Sequence, residues 1–166
     1  MTPAEVTTCA IIERTLGGDP AFRRVDEKVF LYKEGSSIVM IHVLPLGEDR
    51  AVVRCVAQLV KGITLVPELA RHLLELNATL RFGAFSYIGD EGLLLFTYSI
   101  LGGPSLDSEA LLTTLREVAF VAEEYDERIA HRYGGRTMRE LLGDRCITEQ
   151  SLTINLDRDP DDFGFN

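Results

Sequence analysis

The side chains best placed for chemistry are acids and histidines at helical spacing. Glu123, Glu127 and His131 fall at i, i+4 and i+8, so a helix would set them in one row. Carboxylates and an imidazole in such a row are ligand types of zinc and di-metal sites. His72 and Glu75 repeat the idea at i, i+3, and His42 stands inside an apolar run. A metal site needs further ligands from a second element, and no matching motif supplies them. The row also borders an apolar stripe, where solvated charge is expected, so it reads as the wet face of a helix and no metal is assigned.

Other chemistries lack partners in the same way. Cys9, Cys55 and Cys146 are odd in number and far apart, with no CxxC. Cys9 falls on an apolar helix face and Cys55 among apolar neighbours, so both read as buried, reduced structural thiols. Gly17-Gly18, Gly102-Gly103 and Gly134-Gly135 fit neither GxGxxG nor GxxxxGK[ST] and read as helix stops and a loop. There is no GxSxG, and no Ser or Cys is joined to a His by motif. Acidic surfaces supply pairs of carboxylates by chance, and none here stands out. No catalytic residue and no cofactor is assigned, and the protein is expected not to be an enzyme.

Composition narrows the class. With 166 residues and 46% hydrophobic content, the sequence supports one ordinary core. Its net charge is −9 and its pI about 4.8. Nucleic-acid binding needs a cationic face to displace counterions, and the short basic clusters at Arg23-Arg24 and Arg132 to Arg139 are flanked by acids, so no nucleic acid is expected. The acid excess either serves solubility alone or favours a basic or amphipathic polypeptide. The first residues, Met1 to Glu5, show neither a basic region nor an apolar run, so no signal peptide is read. The longest apolar stretches, Ile38 to Leu46 and Leu93 to Phe96, fall far below the roughly 20 residues of a membrane span. A cytoplasmic protein without a membrane partner is expected.

The elements that must position these residues are legible from caps and periodicity. Thr2-Pro3-Ala4-Glu5 is a capping box with Pro at the first helical position, followed by the stripe Val6, Cys9, Ile12, Leu16 and a stop at Gly17-Gly18. After a loop through Asp19-Pro20, strands are predicted over Lys28 to Lys33, Ile38 to Leu44 and Ala51 to Val60. A second helix runs from Pro67 to about Leu80. Phe82, Phe85 and Tyr87 open a strand, Gly89 to Gly92 turn it, and Leu93 to Leu101 return. Asp107 or Ser108 caps a long third helix reaching Tyr133, with the stripe Leu111, Leu115, Val118, Ala122, Tyr125, Ile129. The order is α-β-β-β-α-β-β-α. Strands joined by short loops imply an α+β fold with a five-stranded antiparallel sheet and helices mainly on one face. One domain is expected over residues 1–143, closing on a short helix after Thr137. Residues 144–166 form an extension in which Leu152, Ile154 and Leu156 alternate like a strand, ending in an acidic, disordered stretch.

The strand faces carry the better signal for function. In the third strand Ala51, Val53, Cys55, Ala57 and Leu59 point one way and belong under the helices. The other face, Val52, Arg54, Val56, Gln58 and Val60, is half apolar, more than a solvated face requires. Ile38, Met40 and Leu44 lie opposite Val39, Ile41 and Val43, so the second strand is apolar on both sides. In the fifth, Leu93 and Leu95 lie opposite Leu94, Phe96, Tyr98 and Ile100. Helices on one side would leave a sizeable apolar patch uncovered, and such patches mark partners. A second subunit, a client peptide or the chain's own Leu152-Ile154-Leu156 segment could cover it.

The same element order, with Leu76-Asn77 followed by Phe82-Gly83-Ala84-Phe85, resembles the YbjN-like family, which shares its fold with the type III secretion chaperones. The resemblance spans about Thr2 to Tyr133 and is most specific over Leu73 to Leu101, including Asp90-Glu91-Gly92; the low pI also fits. It implies a non-enzymatic, acidic homodimer that binds extended client segments along apolar grooves. It further implies dimerisation through the second helix and its neighbouring strand, which here gives Leu69, Leu73, Leu76, Phe85 and Tyr87. YbjN-like proteins carry the label of sensory transduction regulators. The expected function is polypeptide binding, with Val52, Val56 and Val60 as contacts and Arg54 and Gln58 as polar rim. The alternative is a structural or regulatory homodimer whose apolar face is covered by self-association or by its own extension.

Overall fold

The computed structural model describes residues 1–143. Helix α1, Pro3–Leu16, begins on a closed capping box. The Thr2 hydroxyl accepts from the Glu5 N–H at 3.2 Å, and the Glu5 carboxylate accepts from the Thr2 N–H at 2.6 Å. Lys28 reaches the same carboxylate at 3.1 Å and so ties the helix start to the sheet. Cys9, Ile12 and Leu16 are buried as the stripe requires. Val6 is exposed, because Ala4, Thr8 and Ile11 complete the inward face in its place. The Thr8 hydroxyl also accepts from the Gly103 N–H at 2.7 Å, pinning the loop before the third helix against α1.

The sheet has seven strands rather than five. They are β1 Phe22–Arg24, β2 Val29–Glu34, β3 Ser37–Leu46, β4 Arg50–Lys61, β5 Ala84–Ile88, β6 Leu93–Leu101 and β7 Arg136–Thr137. The order is β1-β2-β3-β4-β6-β5, all antiparallel, with β7 paired to the end of β4. The two added strands are the short ones. β1 has three residues and β7 two, too few for alternation to register in the sequence. β1 is fixed by side chains: Phe22 stacks on Phe30 at 5.5 Å, and Arg24 lies over the Phe30 ring and pairs with Glu13. The β4–β6 register slips between Gln58 and Val60, so Leu59 is the extra residue of a bulge.

Helices α2, Pro67–Thr79, and α3, Ser108–Tyr133, join α1 on one side of the sheet, and a short α4, Met138–Gly143, follows β7. Leu111, Leu115, Val118, Ala122 and Ile129 of α3 are buried with Ala51, Val53, Cys55, Ala57 and Leu59 of β4 in the main core. Each Val, Leu or Ile among them contributes about 1.5–3 kcal/mol by leaving water. No helix among the described residues is long and apolar enough to cross a membrane. The alternating segment at Leu152, Ile154 and Leu156 and the acidic stretch after it lie outside the described residues.

The junction between α2 and β5 explains its own residue types. Gly83 has φ +67°, and a Cβ there would sit 2.6 Å from Cζ of Phe96 and 2.7 Å from the Thr97 carbonyl oxygen. Phe85 enters the core edge-on to Phe96 and Tyr125, and Phe82 stacks on Tyr98. The Asn77 side chain accepts from the Phe85 N–H at 2.7 Å and donates to the Phe85 carbonyl at 3.2 Å. It thereby takes both outward backbone groups at the middle of an edge strand, as a neighbouring strand would. Asn77→Ala should cost about 1–3 kcal/mol in urea denaturation, with faster exchange of the Phe85 amide, because both groups lose their partner. Unchanged stability and exchange would show that the edge does not depend on this amide.

Glu5 gives a pH dependence. The Thr2 N–H, and then Lys28, hold its carboxyl below the usual 4.5 despite its burial. A depressed folded value means that its contribution is complete above the unfolded pKa and is lost as pH falls through the folded one. Glu5→Gln should therefore destabilise by about 1 kcal/mol at neutral pH. That gap should close as the pH falls through the lowered folded pKa of Glu5. A gap independent of pH would contradict the assignment.

Candidate functional site

Register assigns every strand residue to a side. Away from the helices, one row across β2, β3, β4 and β6 reads Leu31, Met40, Val56, Thr97, and the next on one flank Val29, His42, Arg54, Ser99. On the other flank Gln58 stands beside Leu95, and Leu95 beside Ser86 of β5. Met40, Val56, Leu93 and Leu95 form a second hydrophobic cluster, flanked by Val29, Leu31 and Ile88. The described members of this cluster are strand residues alone, whereas the main core mixes strands and helices. Val56 is 1% exposed and Leu95 2%.

Four of the five residues expected on this open side are there: Val56 and Gln58 are buried, and Val52 and Arg54 half-buried. Val60 is not. The bulge at Leu59 turns it to the helix side, where it joins the main core and stands against Gly135 and Thr137. Strict alternation through Ala51–Val60 hid that turn. Met40, Leu93, Leu95 and Leu31 belong to the open side as well; their apolar type was visible in the sequence, but their adjacency depends on register.

The residues expected at a subunit interface pack within the chain itself. Leu69, Leu73 and Phe85 are buried within their own subunit, and Leu76 and Tyr87 pack on that core. The α2 stripe faces inward because it is the only apolar stripe α2 has for its own sheet. The outward face of α2 carries Leu74, 69% exposed, with Phe82 just past its end at 47%.

Charge on the open side runs against the molecule as a whole. Its strand positions carry Arg23, Lys33, Arg50, Arg54, Lys61, Arg136 and His42, with no Asp or Glu among them, in a chain of net charge −9. The net charge suggested a basic partner; the local field has the opposite preference. Nε of Arg54 is buried there with no hydrogen-bond partner among the described residues.

Two of the groups first considered for chemistry, Glu123 and Glu127, are engaged structurally. Glu123 accepts from both the backbone N–H and the hydroxyl of Ser36, and the Ser36 hydroxyl holds its carboxyl below the usual range. Glu127 pairs with Arg139 at 2.9 Å. Among the described residues no group of three or more His, Cys, Asp or Glu side chains could hold a metal ion. Cys9 and Cys55 are free and buried. Burial pushes Cys55 up to about 12 and raises Cys9, so neither is a thiolate near neutrality. The arrangement can bury apolar side chains and attract negative charge.

Residues 5–141 match the sequence model of the family TY-Chap1, described as T3SS (YopN, CesT) and YbjN peptide-binding chaperone 1. No curated protein matches the chain.

Proposed function

The chain belongs to the TY-Chap1 family of peptide-binding chaperones, and from that premise we propose that it binds an extended polypeptide segment on the open side of its sheet, without catalysing a reaction. The observation carrying this reading is the cluster Met40, Val56, Leu93 and Leu95, whose described members come from strands alone. Antiparallel sheets commonly keep one side polar and wet; this one does not. Client side chains would pack over Leu31, Met40 and Leu95, with Val52, Arg54 and Gln58 framing them. Strand addition at β5 is disfavoured, because Asn77 already holds the Phe85 backbone. Binding therefore uses the face of the sheet more than its edge.

The protein works, in this reading, as a cytoplasmic homodimer of one domain per chain. The exposed Leu74 makes the outward face of α2 the candidate contact, in place of the buried stripe. Covering the cluster by self-association alone is the competing arrangement.

Two measurements test these statements. Peptides selected from a displayed library against the purified protein should lose at least about tenfold in affinity on Leu31→Asp or Val52→Asp, a loss of about 1.4 kcal/mol. Both residues are only partly buried, so the melting temperature should change little. Undiminished binding by folded variants would remove the face from consideration. In light scattering, Leu74→Glu should convert a dimer to a monomer; a dimer that survives it places the contact elsewhere.

A further inference from the structure

We propose that Arg54 reads a carboxylate at the centre of the bound segment, so that the open side selects an extended peptide whose Asp or Glu is flanked, two residues away on each side, by apolar side chains. The inference rests on the peptide-binding reading above and adds the chemistry of the client. Register places Arg54 on a polar row between two apolar ones. Beside it in its own row stand His42 and Ser99. Two residues along β4 in one direction lies Val52, between Leu44 and Leu101. Two residues in the other lies Val56, between Met40 and Thr97. Leu101 is 63% exposed, and Leu44 and Val52 are half-buried, so the row of Val52 offers apolar area to a partner.

The side chain of Arg54 calls for an acceptor. Its Nε is withdrawn from water with no hydrogen-bond partner among the described residues, and a buried donor left unpaired is costly. The strand positions on this side hold no Asp or Glu to supply one. A guanidinium takes a carboxylate through two parallel N–H donors, which gives geometric selection as well as attraction. The spacing of a strand fits the rows. Alternate residues lie about 6.7 Å apart on one face, in a client as in β4. A client strand laid along β4 therefore sets residues j, j+2 and j+4 over the rows of Val52, Arg54 and Val56. A crossing of about 30°, usual between stacked sheets, moves the outer two by about 3 Å. That is less than the ~4.8 Å between strands, so each stays over its row. A second copy of the chain fits less well, because a two-fold contact through this side would set its cationic positions against one another. The net charge of −9 belongs to the whole chain and is screened over about 8 Å at physiological salt, so the acid contributes at contact and not during approach.

Parallel selection of a displayed peptide library against the full-length protein and its Arg54→Met variant tests this. Methionine keeps an unbranched stem and removes the charge. The unaltered protein should enrich Asp or Glu midway between two apolar residues four apart. The variant should keep the apolar pair and lose the acid. No acid against the unaltered protein, or an acid that persists against the variant, would overturn the proposal. In fluorescence-anisotropy titrations, replacing the central acid of a selected peptide by its amide should weaken binding to the unaltered protein about tenfold or more, the scale of a hydrogen bond to a charged group. Binding to Arg54→Met should not distinguish acid from amide; equal losses on both proteins would overturn the assignment. Arg54→Lys keeps the charge without the fork and stands in if the methionine variant does not fold. It should show a smaller penalty for the amide, and an undiminished one would count against Arg54. The two readings fail separately. Selected peptides indifferent to Leu31→Asp and Val52→Asp remove the face and this inference with it. Peptides that depend on both residues, yet carry no acid or keep it against Arg54→Met, remove this inference alone.

Discussion

A sheet that is apolar on both sides needs two covers, and among the described residues α1, α2 and α3 supply one. That imbalance organises the molecule. β4 lies at its centre, paired with β3 and β6 along its length and with β7 at its end. Ala51, Val53, Cys55 and Ala57 are small or slender, which lets the helices approach their side closely. On the other side Val56 sits between Met40 and Thr97, and the charges around it are all positive. Hydrophobic area gives such a surface its affinity, and the cationic surround gives it a preference of sign.

The edges are treated differently from the faces. An open antiparallel sheet invites strand addition at both margins. At β5 the Asn77 amide occupies the backbone of Phe85, and Gly83 allows the chain to turn into the strand over the Phe96 ring. At β1 the strand is three residues long, and two of them are Arg23 and Arg24. Protection of the margins together with an apolar face would direct association to the face, as proposed. Helix α3 closes the other side and is tied to the β2–β3 turn through Glu123 and Ser36, and to α2 through Arg132 and Glu68.

Much of this was legible in the sequence, and the exceptions have physical causes. The caps at Thr2 and Asp107 and the α3 stripe located the helices to within a residue or two. Alternation in β4 named both of its faces correctly as far as Gln58. It failed at Val60, because a bulge adds one residue and resets parity without any signature in residue type. β1 and β7 were missed because their pairing depends on tertiary neighbours rather than on their own pattern. The α2 stripe was correctly seen, and within the chain it packs on the main core: periodicity shows that one face is buried, never against what. Asn77 and Gly83 belonged to the segment that carried the resemblance, yet their roles, an amide closing a strand edge and a site without room for a Cβ, exist only in three dimensions.

Methyl NMR of the protein titrated with a library-selected peptide addresses the central claim most directly. Met40, Val56 and Leu95 should shift in a saturable manner while Ile12, Leu115 and Val118, on the helix side, stay in place. Shifts concentrated on the helix-side methyls, or none on the open side at saturation, would contradict a peptide-binding role for this face.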